Sequence, residues 1–219
     1  MAVYSQKDLK KNEVTEIVYV AAEWIRNNRQ TFYSLAGIFG GIILFMVFFF
    51  TRYFIARERV SDKLSVGQAL IYHKQMDRGL KMLDEVINQY STTPSAYMAR
   101  LTKAEYLINQ RKYPEAKAIV SDVITNGKPD AIVPLAYPFL GNIQEDTQDY
   151  KGAVKTYNDF LARFPEHFLA ADILSSLARV YELSGNFAQA KASYQKLAAS
   201  FKGSKWEELA KMRLSYINR

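Results

Sequence analysis

The chain has 219 residues, with 29 lysines and arginines, 22 acidic residues, two histidines and no cysteine. Without a thiol there is no disulfide framework, cysteine zinc site or thiol catalysis, and the length admits one ordinary domain plus a tail, or two small domains. The formal charge of +7 is spread among many acids over the longer C-terminal part. It reads as a mixed solvated surface, with no nucleic-acid partner expected.

Residues 1–30 form a polar N-terminal segment. Within it Val14, Ile17, Val18, Ala21 and Ile25 recur at helical spacing, while Glu13, Glu16, Glu23 and Arg26 fall elsewhere on the wheel. Asn12 is the expected N-cap. A short amphipathic helix at a membrane surface and a helix only partly formed in solution both fit this pattern.

Residues 31–55 follow as an expected transmembrane anchor. From Thr31 to Thr51 there is no charged residue, and 21 residues of helix would span roughly 31 Å, one hydrocarbon core. Arg29 and Arg52 bracket the run, and Tyr33 and Tyr53 occupy the interfacial positions. A cleaved signal peptide fits less well: the run is too long, the preceding segment too extended, and Phe54-Ile-Ala-Arg-Glu-Arg offers no small-x-small cleavage site. Gly37 and Gly41 form a GxxxG pair, the spacing at which two membrane helices approach closely, so contact there and a homodimer are expectations. Basic residues are about as frequent after the span as before it, so the positive-inside rule leaves orientation open.

Residues 60–219 repeat without gaps at a period of 37. One column reads Gly67, Ala104, Gly141, Ala178, and a second reads Met76, Tyr113, Tyr150, Phe187. A third reads Gly79, Ala116, Ala153, Ala190; a fourth Leu83, Val120, Tyr157, Tyr194; a fifth Val86, Val123, Phe160, Leu197. Small residues stay small and large apolar ones stay large, as expected of helical hairpins that pack closely on their neighbours. Gly185 and Asn186 mark a helix end, Pro165 closes a unit, and Pro138 predicts a kink or a late start in a first helix. Ser204–Asn218 is expected to be a capping helix, with Trp206, Leu209, Ala210, Arg213 and Leu214 on its period.

These residues resemble the tetratricopeptide repeat: the Leu140-Gly141 step, the aromatic and alanine of the second helix, and the closing proline stand at that family's spacing. The resemblance implies an α-solenoid of helical hairpins, so that with the anchor the expected fold is all-α: an N-terminal transmembrane helix followed by an α-solenoid of four hairpins and a C-terminal capping helix. It also implies a partner-binding concave face lined by first helices, here Leu64, Gln68, Ile71, Tyr72, Met98, Leu101, Glu105, Ile108, Asn142 and Arg179. The first two hairpins would supply apolar groups and the last two polar ones. Whether that groove binds protein segments or only packs helices is left open.

Catalytic and metal-binding patterns do not emerge. His73 and His167 are far apart and lack acidic partners at ligand spacing. Glu145, Asp146 and Asp149 cluster without the spacing of a calcium loop. No phosphate loop or nucleophile motif occurs, so the expectation is a non-enzymatic binding protein without cofactor or metal.

The whole layout (polar start, Ala-Ala-Glu-Trp-Ile-Arg-Asn-Asn-Arg before the anchor, anchor, then degenerate repeats) resembles the bacterial YfgM-type family of ancillary translocon subunits. That resemblance implies an inner-membrane protein with a cytoplasmic N-terminus and periplasmic repeats. Its implied partners are translocon subunits, chaperones or exported clients, with membrane lipid around the anchor. A protein coordinating envelope assembly or cell division, and a targeting-peptide receptor with cytosolic repeats, are the alternatives.

Overall fold

The computed structural model describes the backbone of residues 6–217, and the side chains of residues 16–53 and 58–217. Every regular element among them is helical. The chain divides into two compact units, Met1–Glu58 and Arg59–Arg219.

The first unit holds α1, Gln6–Asn27, and the beginning of α2, Arg29–Tyr72. α1 starts earlier than Asn12, because Gln6, Lys7, Leu9, Lys10 and Lys11 are good helix formers and nothing there stops a helix. Asn12 therefore lies inside the helix and caps nothing; the side chain of Val14 lies outside the described residues. α1 ends at Asn28, whose Nδ2 donates to the Trp24 carbonyl at 3.0 Å. α2 is the one helix among the described residues long and apolar enough to cross a membrane. Its most apolar window has a mean hydropathy of 2.2, and none of that window is buried.

The second unit begins inside α2, at Arg59. It continues with α3 (Met76–Gln89), α4 (Pro94–Asn109), α5 (Tyr113–Asn126), α6 (Val133–Asp146), α7 (Tyr150–Arg163), α8 (Ala170–Leu183), α9 (Phe187–Ser200) and α10 (Lys205–Ile217), with a 3₁₀ turn at Asp130–Ile132 before α6. The end of α2 with α3, and then α4/α5, α6/α7 and α8/α9, make four hairpins, and α10 packs on α9 as the cap. α6 does not start late: it runs through Pro138. The amide missing there would have served only the carbonyl of Pro134, in the first turn.

Four of the five repeat columns are the core; the second, Met76, Tyr113, Tyr150 and Phe187, lies at its edge, with Phe187 57% exposed. Ala104, Ala178, Ala116, Ala153, Ala190, Leu83, Val120, Tyr157, Val86, Val123, Phe160 and Leu197 are all fully enclosed. Glycine is required at two points of close approach. A Cβ on Gly141 would land inside the Tyr157 ring. On Gly79 it would meet Ile71 Cγ1 at 2.6 Å and the Gly67 carbonyl at 2.9 Å.

The hairpin turns repeat as strictly as the core. Lys74, Arg111, Gln148 and Gly185, spaced by the same period, all have positive φ (62°, 58°, 60° and 74°). After each, the next amide reaches back to close the helix: Gln75 N to Leu70 O, Lys112 N to Leu107 O, Asp149 N to Gln144 O and Asn186 N to Tyr181 O, at 2.7–2.8 Å. This is the Schellman ending, which satisfies carbonyls that the helix leaves unpaired. The following helices are then capped by side chains where the sequence allows, Asp149 to Gly152 N and Asn186 to Gln189 N.

Candidate partner-binding face

Neighbouring first helices are joined by side chains. Gln68 Nε2 on α2 donates to Thr102 Oγ1 on α4 at 2.9 Å. Arg179 on α8 reaches Glu145 on α6, Nη1 to Oε2 at 2.7 Å. Arg213 on α10 pairs with Glu182 on α8 through one guanidinium edge, Nε donating to Oε1 at 3.3 Å and Nη2 to Oε2.

These contacts show which expected face residues remain open. Leu64 and Leu101 are buried in the core, and Ile71, Met98 and Ile108 are half-buried against it. The apolar first half of the face is therefore mostly consumed by packing between hairpins, and Leu64 and Leu101 are withdrawn from any partner surface. Tyr72 stays 84% exposed. The column Gln68, Glu105, Asn142, Arg179 presents a polar stripe, half-buried at Gln68 and exposed at the other three. What the face offers a partner is this polar column, flanked by Tyr72 at one end.

Glu145 belongs to a different arrangement. Its side chain is 6% exposed and accepts a 2.6 Å hydrogen bond from Tyr157 Oη, while Tyr157 Oη also lies 3.4 Å from Asn142 Oδ1. Burial raises the Glu145 pKa above the ordinary carboxyl value, and the Tyr157 hydrogen bond and Arg179 charge only partly offset it. Burial, reinforced by Glu145, likewise raises the Tyr157 hydroxyl. One repeat later Tyr194 lies against Glu182 and Arg213, again raised first by burial and then by the carboxylate. The arginine of this second set comes from one turn earlier than Arg179 in the repeat register. A sequence signal for the arrangement existed: the column of Glu145 reads Ile71, Ile108, Glu145, Glu182, in step with Leu83, Val120, Tyr157, Tyr194. Acid appears on the first helix only where tyrosine appears on the second.

The histidines have ordinary places. His73 is exposed at a turn beside Tyr72, and His167 Nδ1 accepts from Leu169 N at 3.2 Å within an aromatic loop against Phe160 and Phe168. Of the acidic cluster, Glu145 is taken by Tyr157 and Arg179, and Asp149 caps α7. Among the described residues no group of three histidine or acidic side chains could hold a metal ion. Gly37 and Gly41 lie on open helix, where an added Cβ would meet nothing within 4 Å.

Comparison with known proteins places these hairpins. The profile of the family described as tetratricopeptide repeat-like domain matches residues 23–219, a range that takes in the apolar run as well as all four hairpins. The chain belongs to this tetratricopeptide repeat-like family. No curated protein sequence matches it significantly. Solved structures match the fold at low identity. A putative kinesin light chain from Podospora anserina with nearly identical repeats has 13% identity and a TM-score of 0.61, over 74% of this chain and 85% of that one. The apo form of RapI gives 14% and 0.64, over 74% and 49%. MamA from Desulfovibrio magneticus gives 16% and 0.56, over 73% and 83%. Tetratricopeptide repeat-like arrays are generally non-catalytic protein-interaction scaffolds, and this chain has that architecture.

Proposed function

We propose that this scaffold is anchored in a bacterial inner membrane by residues 31–51 of α2 and presents its repeats to proteins of the export pathway. The observation that carries the anchor is the apolar window of α2, charge-free from Thr31 to Thr51 and wholly unburied. A soluble chain this small could not leave so much apolar surface in water without aggregating, whereas a bilayer covers it. The N-terminus is cytoplasmic and the repeats periplasmic in this reading. That orientation, like the assignment of translocon subunits, periplasmic chaperones or exported clients as partners, is supported by the likeness in layout to the YfgM-type family.

Partner contact is assigned to the first-helix stripe of Glu105, Asn142 and Arg179, with Tyr72 at its end. A homodimer through Gly37 and Gly41 is part of the same proposal, since two open small residues one turn apart allow close helix approach. Photocrosslinkers at Tyr72, Glu105 and Asn142, followed by recovery from membranes, test the assignment. Adducts to translocon or periplasmic chaperone subunits are expected, and adducts solely to cytosolic proteins would overturn it.

A further inference from the structure

We infer that α1 lies along the membrane interface, with bilayer lipid filling the hollow it makes with the start of α2. This rests on the anchor reading above and adds a second, distinct contact with the membrane. Around α1, the successive positions of Ile17, Val18, Val20, Ala21, Trp24 and Ile25 make one continuous apolar arc, with Glu16 at its border and Glu23 and Arg26 away from it. In a soluble hairpin such an arc would be covered by protein. Here Ile17 is 68% exposed, Val18, Val20 and Trp24 are exposed too, and Ile25 is half-buried.

The arc opens into a hollow of about 850 Å³, whose walls are Ile17, Val20, Ala21, Trp24 and Ile25 of α1 and Phe32 of α2, with Glu16 at its edge. Phe32 is the first apolar residue of the charge-free run itself. Whatever covers that run therefore also meets the arc, and for a membrane span the cover is lipid. Asn28 separates α1 from α2, and its N and Nδ2 both donate to the Trp24 carbonyl, at 2.8 and 3.0 Å. Trp24, an apolar ring with a single N–H donor, is the side chain suited to the boundary between acyl chains and headgroups. An apolar arc opposite a charged one, running beside a span, is the form of an interfacial helix.

The two tryptophans, Trp24 and Trp206, make the test spectroscopic. The full-length Trp206→Phe variant is reconstituted in phosphatidylcholine–phosphatidylglycerol vesicles carrying a spin label near the headgroup or near the acyl methyl end. The inference expects Trp24 fluorescence to be quenched about twofold more strongly by the shallow label than by the deep one. Should Trp206→Phe disturb folding, the difference between wild type and Trp24→Phe gives the same quantity. Alkaline carbonate extraction of the same vesicles separates the two readings: release of the chain overturns the anchor itself. A chain that resists extraction, with Trp24 open to aqueous iodide and quenched by neither label, overturns the inference alone. Trp24 shielded from both iodide and lipid labels overturns it in favour of a protein cover, such as a second copy.

Discussion

Tyr157 Oη on α7 donates a 2.6 Å hydrogen bond to Oε1 of Glu145 on α6, a carboxylate whose side chain is only 6% exposed. The two helices come close enough for this because Gly141, one turn before Glu145, leaves room for the tyrosine ring. In the first hairpin the corresponding residues are Gly67, Ile71 and Leu83, so the same site exists in an apolar form within one chain. Removing the donor alone, Tyr157→Phe, should cost about 1–3 kcal/mol, since it strips a buried acid of a partner. Replacing both, Glu145→Leu with Tyr157→Phe, should recover most of that loss, because an apolar pair of matching shape needs no hydrogen bond. Arg179, 49% exposed, is then left to water. Urea denaturation of the wild type and the two variants measures both steps.

The same carboxyl makes stability depend on pH in an unusual direction. Glu145 holds its proton above the ordinary value of 4.5. As pH rises past 4.5 the unfolded chain therefore releases this proton before the folded chain does. The stability it contributes is complete below 4.5 and declines as pH climbs to the folded value. Glu207 behaves oppositely: Lys211 and the amide of Gly203 hold it below 4.5, so its contribution is present above that pH and lost as pH falls. Subtracting the denaturation midpoints of Glu145→Gln from those of wild type should leave a step downward with rising pH. Glu207→Gln should leave a step upward. A flat difference for Glu145 would mean that its carboxyl is solvated.

Three of the four left-handed turn positions are not glycine. Lys74→Gly, Arg111→Gly and Gln148→Gly should each stabilise the array by up to about 1 kcal/mol, because a side chain in that conformation is strained. Gly185→Ala should cost a similar amount. Thermal unfolding of the four single variants is the check.

Core glycines should differ among themselves. At Gly67 a methyl would meet side-chain atoms and no backbone, Leu83 Cδ2 at 3.1 Å and Met82 Cγ and Cβ at 3.3 and 3.4 Å. Gly67→Ala should therefore be near neutral, with helix propensity offsetting the crowding. Gly79→Ala, facing Ile71 and a backbone carbonyl, and Gly141→Ala, facing the Tyr157 ring, should destabilise by about 1–3 kcal/mol. Urea midpoints should rank Gly67→Ala above both.

The hairpins were legible because buried columns constrain size: a residue enclosed between two helices must fit, so Leu83, Val120, Tyr157 and Tyr194 announce one another across the period. Of the four left-handed turn positions, only Gly185 carries the glycine that marks one in sequence. Lys74, Arg111 and Gln148 carry no turn signature, since a Schellman ending is made of backbone hydrogen bonds that any residue can supply at some strain. Nothing in the acidic cluster itself marks Glu145 as buried, because a carboxylate on a helix is usually at the surface. Only its correlation with Tyr157 across the repeats reveals burial. The binding face was legible as a set of register positions, but periodicity does not say which of Leu64, Leu101 and Ile108 the next hairpin covers.

The absence of cysteine allows the central claim, an anchor at 31–51 with the repeats beyond it, to be tested with single engineered thiols. Lys7→Cys and Lys202→Cys are made separately in the full chain, and intact spheroplasts are treated with a membrane-impermeant maleimide. The account predicts that position 202 is labelled from outside while position 7 reacts only after lysis. Labelling of both positions in intact spheroplasts would contradict the membrane span, and labelling of position 7 alone would contradict its orientation.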